Sequence, residues 1–171
     1  IWRARVAPAD VMGFVDSQRD PQTGRVLRDE HDALRQVHEA EWRQANLDPL
    51  LRQTFERIQS LRELLGLTGL EWDRRLSAAT QRSSTEFARR RQIGHQVGGS
   101  PIQRARAAGY TGQTVGENLY RSPERDATAA EVVQAWIDSP EHLANLLRED
   151  FTAAGVGRDR QYWCLMLGDG R

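Results

Sequence analysis

With 171 residues, the chain is long enough for one domain with its own core, or for one domain carrying an appendage. Its charges cancel, 24 basic against 24 acidic, so no global field draws it to nucleic acid and no nucleic-acid partner is expected. Every basic residue is Arg, which excludes Schiff-base chemistry and a lysine general base.

No apolar run approaches the roughly 18 residues that cross a bilayer, so no transmembrane segment is expected. The sequence opens at Ile1 without a charged-then-apolar leader, so no signal peptide is read in it. A single cysteine, Cys164, excludes an intrachain disulfide and leaves the compartment open.

Residues 1–24 read as irregular, punctuated by Pro8, Gly13, Pro21 and Gly24 around a small apolar cluster of Val11, Met12, Phe14 and Val15. From Arg28 to Asn46 the pattern is helical, with Leu27, Leu34, Val37 and Ala45 near one face. Asp48-Pro49 supplies a cap and a proline at the first helical position. The helix that follows runs to about Leu65, with Leu50, Leu51, Phe55, Ile58, Leu61, Leu64 and Leu65 as its stripe and Gly66 as its stop. Trp72-Asp73 precedes a helix over 74–91, whose inner face is Leu76, Ala79, Thr80, Ser83 and Phe87. Ser100-Pro101 opens a short helix to about 108, and 114–120 read as a strand.

A helix from about Thr128 carries Val132, Val133, Trp136 and Ile137, and Ser139-Pro140 ends it and begins another over 140–148. Gly155–Arg158 and Tyr162–Leu167 read as two strands. The second is apolar on both faces, so it is expected to be central, with Cys164 a small buried hydrophobe upon it. Trp72, Trp136 and Trp163 are all expected in the core. Polarity changes near residue 50. Residues 1–49 therefore read as an extension that borrows a surface, and 50–171 as the domain proper.

Phosphate loops, dinucleotide fingerprints and nucleophile elbows are all absent. His38-Glu39 begins like a zinc-protease helix, but Trp42 stands where the second histidine would be. His31 and His38, seven apart on one helical face, read as exposed polar residues, the alternative being a weak surface metal site. Arg89, Arg90 and Arg91 read as a solvated helix end, which suits the macrodipole, or as an anion or lipid-headgroup contact. His95, at a helix-to-strand passage, and His142, at a helix start, have carboxylates around them. Spacing alone does not join them.

Taken in order, several segments resemble the motifs of one family. Leu70-Glu71-Trp72 through Leu76 and Ala78-Ala79 come first, followed by Gly94-His95, then Arg104 with Ala108-Gly109-Tyr110. Gly116-Glu117-Asn118-Leu119 comes next, then Trp136 through Ser139-Pro140-Glu141-His142 to Asn145-Leu146-Leu147. Phe151 to Gly157 and a closing strand from Tyr162 complete the series. Over about residues 53–168 the chain resembles bacterial members of the CAP superfamily, the cysteine-rich secretory, antigen 5 and pathogenesis-related proteins.

That resemblance implies an α+β fold: an α/β/α sandwich with a small, mainly antiparallel sheet between helical layers, here with an N-terminal helical extension. It implies a secreted or extracytoplasmic setting and a cleft holding His95, Glu117 and His142. A fourth acidic residue is left open between Asp138 and Glu141, because Ser139 occupies the family position. Two imidazoles and a carboxylate can hold zinc or another divalent cation with a position left for water. The implied role is a binding or interaction module for a lipid, protein or cell-envelope ligand. Two alternatives stand beside it: a zinc-dependent hydrolase with Glu117 as base, or a structural domain with a vestigial site in which Glu117 and Asn118 only pin the strand. Glu141, Leu143 and Leu165 depart from the residues common in the family.

Overall fold

The computed structural model describes residues 26–170, with side chains from His31 onward. The expected apolar cluster of Val11, Met12, Phe14 and Val15, and the side chain of Leu27, lie outside the described residues. Helix α1 spans Val26–Ala45 and α2 Pro49–Leu64; strand β1 is Glu71–Trp72, followed by α3 at Arg74–Arg90 and α4 at Pro101–Ala107. Strand β2 is Val115–Arg121, helix α5 Ala129–Asp138 and α6 Pro140–Leu146; β3 Ala153–Asp159 and β4 Tyr162–Gly168 close the chain.

Local chemistry sets these starts. Asp48 accepts from the Leu50 amide at 2.9 Å with Pro49 at the first helical position, and Asp73 accepts from Arg75 and Leu76. Ser100 with Gln103 and Thr128 with Glu131 form reciprocal capping boxes at α4 and α5.

The sheet order is β1-β3-β4-β2, parallel between β1 and β3 and antiparallel elsewhere. Strand β4 is thus interior and buried along its whole length, as its unbroken apolar run predicts. Its residues alternate between two cores. Trp163, Leu165 and Leu167 face Phe55, Ile58, Trp72, Val133, Trp136 and Phe151, beneath α1, α2, α5 and α6. Tyr162, Cys164 and Met166 face Leu76, Ala79, Phe87 and Tyr110, beneath α3 and α4. This period of two, with helices on both faces, is the α/β/α sandwich. Helix α3 lies almost on the backbone of β3: a Cβ on Gly155 would stand 2.2 Å from the Ser77 amide nitrogen, and one on Gly157 2.3 Å from that of Gln81. Only glycine permits that approach.

Arg62, within the apolar stripe of α2, is fully buried. Its Nε donates to Thr68 O at 3.0 Å, Nη1 to Leu146 O and Arg148 O at 2.9 Å each, and Nη2 to Phe151 O at 3.0 Å. One guanidinium so ties α2 to the end of α6 and to the lead-in of β3. Burial pushes its pKa down to about 10, which leaves it cationic at neutral pH.

The structure corrects the reading of α1. Val37, expected on the inner face, is 58% exposed, and the inward stripe is His31, His38 and Trp42, with Leu34 half-buried. The two histidines are buried, not exposed, because the segment beneath presents backbone groups that need partners. His31 Nε2 donates to Leu67 O at 3.1 Å, and His38 Nε2 accepts from the Trp72 amide at 3.0 Å. Glu71–Trp72 forms an edge strand that sequence periodicity does not reveal, since it is two residues long, and its outer edge is what His38 satisfies. Trp42 joins Phe55 and Trp72 in edge-on aromatic contacts, so α1 shares the domain's core.

Candidate functional site

The segment Gly116-Glu117-Asn118 lies on β2, the edge strand opposite β1. Each of its residues has a distinct task. Gly116 makes room: a Cβ there would stand 2.8 Å from the Phe151 ring. Glu117 pairs in register with Met166 and so faces the α3–α4 side, while Asn118 pairs with Leu165 and faces the other.

On its side, the Glu117 carboxylate, only 1% exposed, accepts from His95 Nδ1 at 2.8 Å and from Arg104 Nη2 at 2.7 Å. Beneath it the Cys164 thiol donates to Glu117 Oε2 at 3.4 Å. Because a carboxylate can only accept here, the His95 ring proton sits on Nδ1 and its Nε2 is turned away from Glu117. The His95 side chain is 54% exposed.

On the opposite side, the Asn118 amide donates to the His142 backbone carbonyl at 2.9 Å and accepts from Asn145 Nδ2 at 3.0 Å, which fixes the start of α6. Both neighbours on β2 therefore anchor a histidine, one through its side chain and one through its backbone. The His142 pKa is lowered, first by burial and then by His95, against a weaker opposite pull from Glu141. Direct contact joins His95 and Glu117, whereas His142 is tied to the same strand through its backbone carbonyl on Asn118. Glu141 is exposed and acts on His142 through its charge, whereas Asp138 is exposed at the end of α5 and accepts from Gln134 at 2.8 Å.

Arg104 is the member of this site that sequence reasoning read only as a motif letter. Besides Glu117, it donates to Ser83 Oγ at 2.6 Å, Gly99 O at 2.9 Å and His95 O at 3.2 Å, and it lies 5.7 Å from the Phe87 ring centre. It holds both the carboxylate and the backbone of the His95 loop. The signal was its place, one helix before a buried acid, in an all-Arg protein. Arg89 and Arg90 both bind Glu86 on their own helix, which is the arrangement of a solvated helix end. A shallow depression beside them is lined by Arg90, Gln92, Gly94, His95, Gln96 and Val97.

Cys164 is buried, and its thiol pKa is raised well above the ordinary value by burial and then by the negative charge of Glu117. It is a neutral thiol that packs. Among the described residues no three His, Cys, Asp or Glu side chains are grouped to hold a metal ion. No described helix is long and apolar enough to cross a membrane.

The model of the cysteine-rich secretory protein (CAP) family matches residues 55–163. The uncharacterized protein YkwD of Bacillus subtilis is 32% identical over 108 residues, which are 62% of this chain and 41% of that protein. An extracellular SCP-domain protein of Bacillus anthracis superposes with a TM-score of 0.65 at 23% identity, over 69% of this chain and 39% of its own. An outer surface protein of Borrelia burgdorferi superposes with a TM-score of 0.60 at 24% identity, over 68% of this chain and 90% of its own. The chain thus spans about two-fifths of the two Bacillus proteins.

Proposed function

Since the chain belongs to the cysteine-rich secretory protein (CAP) family, we propose that it acts outside the cytoplasm as a binding module whose recognition cleft is built from His95, Glu117 and His142. One observation carries this reading: the buried Glu117 carboxylate accepts a hydrogen bond from Nδ1 of a half-exposed His95 at 2.8 Å. A carboxylate behind an imidazole fixes the tautomer and aims the second nitrogen. The extracytoplasmic setting rests on relatives described as extracellular and as an outer surface protein.

The donor set fits a divalent cation such as zinc only in part. His95 and His142 supply two imidazole nitrogens, and Glu117, already engaged by Arg104, His95 and Cys164, serves behind the first rather than as a third ligand. A bound cation would offer a Lewis-acidic bridge to an acidic group of a lipid, protein or cell-envelope partner. The same engagement of Glu117 favours binding over hydrolysis. Both carboxylate oxygens already accept hydrogen bonds, so neither stands free to draw a proton from water.

Long-range proton–nitrogen NMR of the four histidines during a zinc titration tests the reading. Changes confined to the His95 and His142 rings are expected. No change, or changes at His31 and His38, would overturn it.

A further inference from the structure

Helix α1 precedes the region that carries the family match. It is seated by two imidazoles two turns apart on one face, each fully covered. Their hydrogen bonds assign opposite tautomers. Leu67 O can only accept, so His31 carries its proton on Nε2. The Trp72 amide can only donate, so His38 Nε2 is bare and its proton is on Nδ1. The Nδ1 atoms of both rings are buried without a partner.

The His38 ring is enclosed by aromatics, stacked on Trp42 at 5.4 Å and edge-on to Phe55 at 5.2 Å. The charged groups on the elements around this seam keep to its rim. Arg35 pairs with Asp32 and Glu63, Arg74 with Glu41 and Arg43 with Glu39, while Glu56 is acted on by the charges of Glu39, Arg52 and Arg35; Glu71 is exposed. None of them hydrogen-bonds either imidazole, so no carboxylate waits to receive a charged ring.

We infer that α1 is an acid-released latch: a proton taken up at His38 breaks its bond to the edge of β1, lifts α1 from the domain and uncovers the aromatic surface of Phe55 and Trp72. The proton goes to Nε2, the atom that accepts from the Trp72 amide. Protonation therefore replaces one hydrogen bond with two N–H groups facing each other, inside an aromatic cage.

The direction of the response follows from linkage. Burial lowers the docked His38 pKa to about 4, whereas a released imidazole titrates near 6.5. The released state binds the proton that the docked state refuses. Docking is therefore at full strength above about pH 6.5, weakens as the pH falls towards 4, and levels off below that. Between pH 7.5 and 4.5 the released population should rise roughly 70-fold from His38 alone.

Hydrogen–deuterium exchange of the full chain, read as protection factors so that the slower intrinsic exchange in acid cancels, tests this directly. Residues 31–45 should lose protection at pH 4.5 while β4 keeps its own. Two variants should hold α1 in place at that pH: H38Q, which keeps an acceptor but does not titrate, and H38F, which fills the cage. If residues 31–45 stay as protected at pH 4.5 as at pH 7.5, or lose protection only together with β4, the latch is refuted even if neither variant folds. It is equally refuted if a folded H38Q releases α1 at the same pH as the native chain. None of these outcomes depends on the His95 cleft.

Discussion

Replacing Arg62 with Met keeps the length of the side chain and removes the group that four backbone carbonyls share. The loss can be worked from its contacts. Two buried carbonyls, of Leu146 and Phe151, and two part-buried ones, of Thr68 and Arg148, lose a cationic donor; at about 1–3 kcal/mol for each buried carbonyl left unpaired and about 1 kcal/mol for each part-buried one, the gross penalty is about 4–8 kcal/mol. Against this stands the burial cost of the guanidinium that the variant no longer bears. Its pKa falls from 12.5 to about 10, which at 1.36 kcal/mol per unit offsets about 3 kcal/mol.

The balance favours the native residue by about 1–5 kcal/mol. Urea denaturation at pH 7, followed by fluorescence of the five tryptophans, reads it out. With a slope near 2 kcal/mol per molar, the R62M midpoint should fall by roughly 0.5–2.5 M. R62K should fall by less, since an ammonium brings only three donors on a single atom. An R62M midpoint within about 0.5 M of native would mean that these bonds do not hold the domain together.

Two further outcomes follow from the packing. Gly155→Ala should cost at least about 1–3 kcal/mol by thermal or urea unfolding, because the new Cβ meets the backbone of α3, which cannot step aside as a side chain could; a neutral variant would show that α3 lies farther from β3. The Cys164 thiol, buried and held protonated, should resist a bulky disulfide reagent at pH 8 in the native protein and react at once in urea, whereas prompt native labelling would place it at the surface.

Where one-dimensional pattern and three-dimensional role coincide, the sequence was legible. The unbroken apolar run of β4 meant two buried faces, and Asp48-Pro49, Ser100-Pro101 and Thr128 meant helix starts. Trp72, Trp136 and Trp163 are core residues for the same reason. The grouping of His95, Glu117 and His142 came from resemblance alone; the structure shows the bond between His95 and Glu117 and the tie of the His142 backbone to Asn118, and spacing expresses neither.

What stayed hidden was polar and buried. His31 and His38 break the apolar stripe of α1, and periodicity assigns such residues to solvent; the backbone groups of Leu67 and Trp72 that receive them belong to a segment with no periodic signal. Arg62 and Arg104 are concealed in the same way. A charge is placed outside by default unless its acceptors are known, and theirs are carbonyls and a carboxylate far along the chain.

The central claim, that His95 and His142 serve one ligand in one cleft, is tested most directly by a double-mutant cycle with zinc as the probe. Calorimetric titration of the native chain, H95A, H142A and the double variant at neutral pH gives the coupling between the two sites. Each single variant should lose nearly all the binding that the double variant loses, because two imidazoles that share an ion cannot be removed independently. Losses that simply add, or native affinity in all four proteins, would contradict the shared cleft.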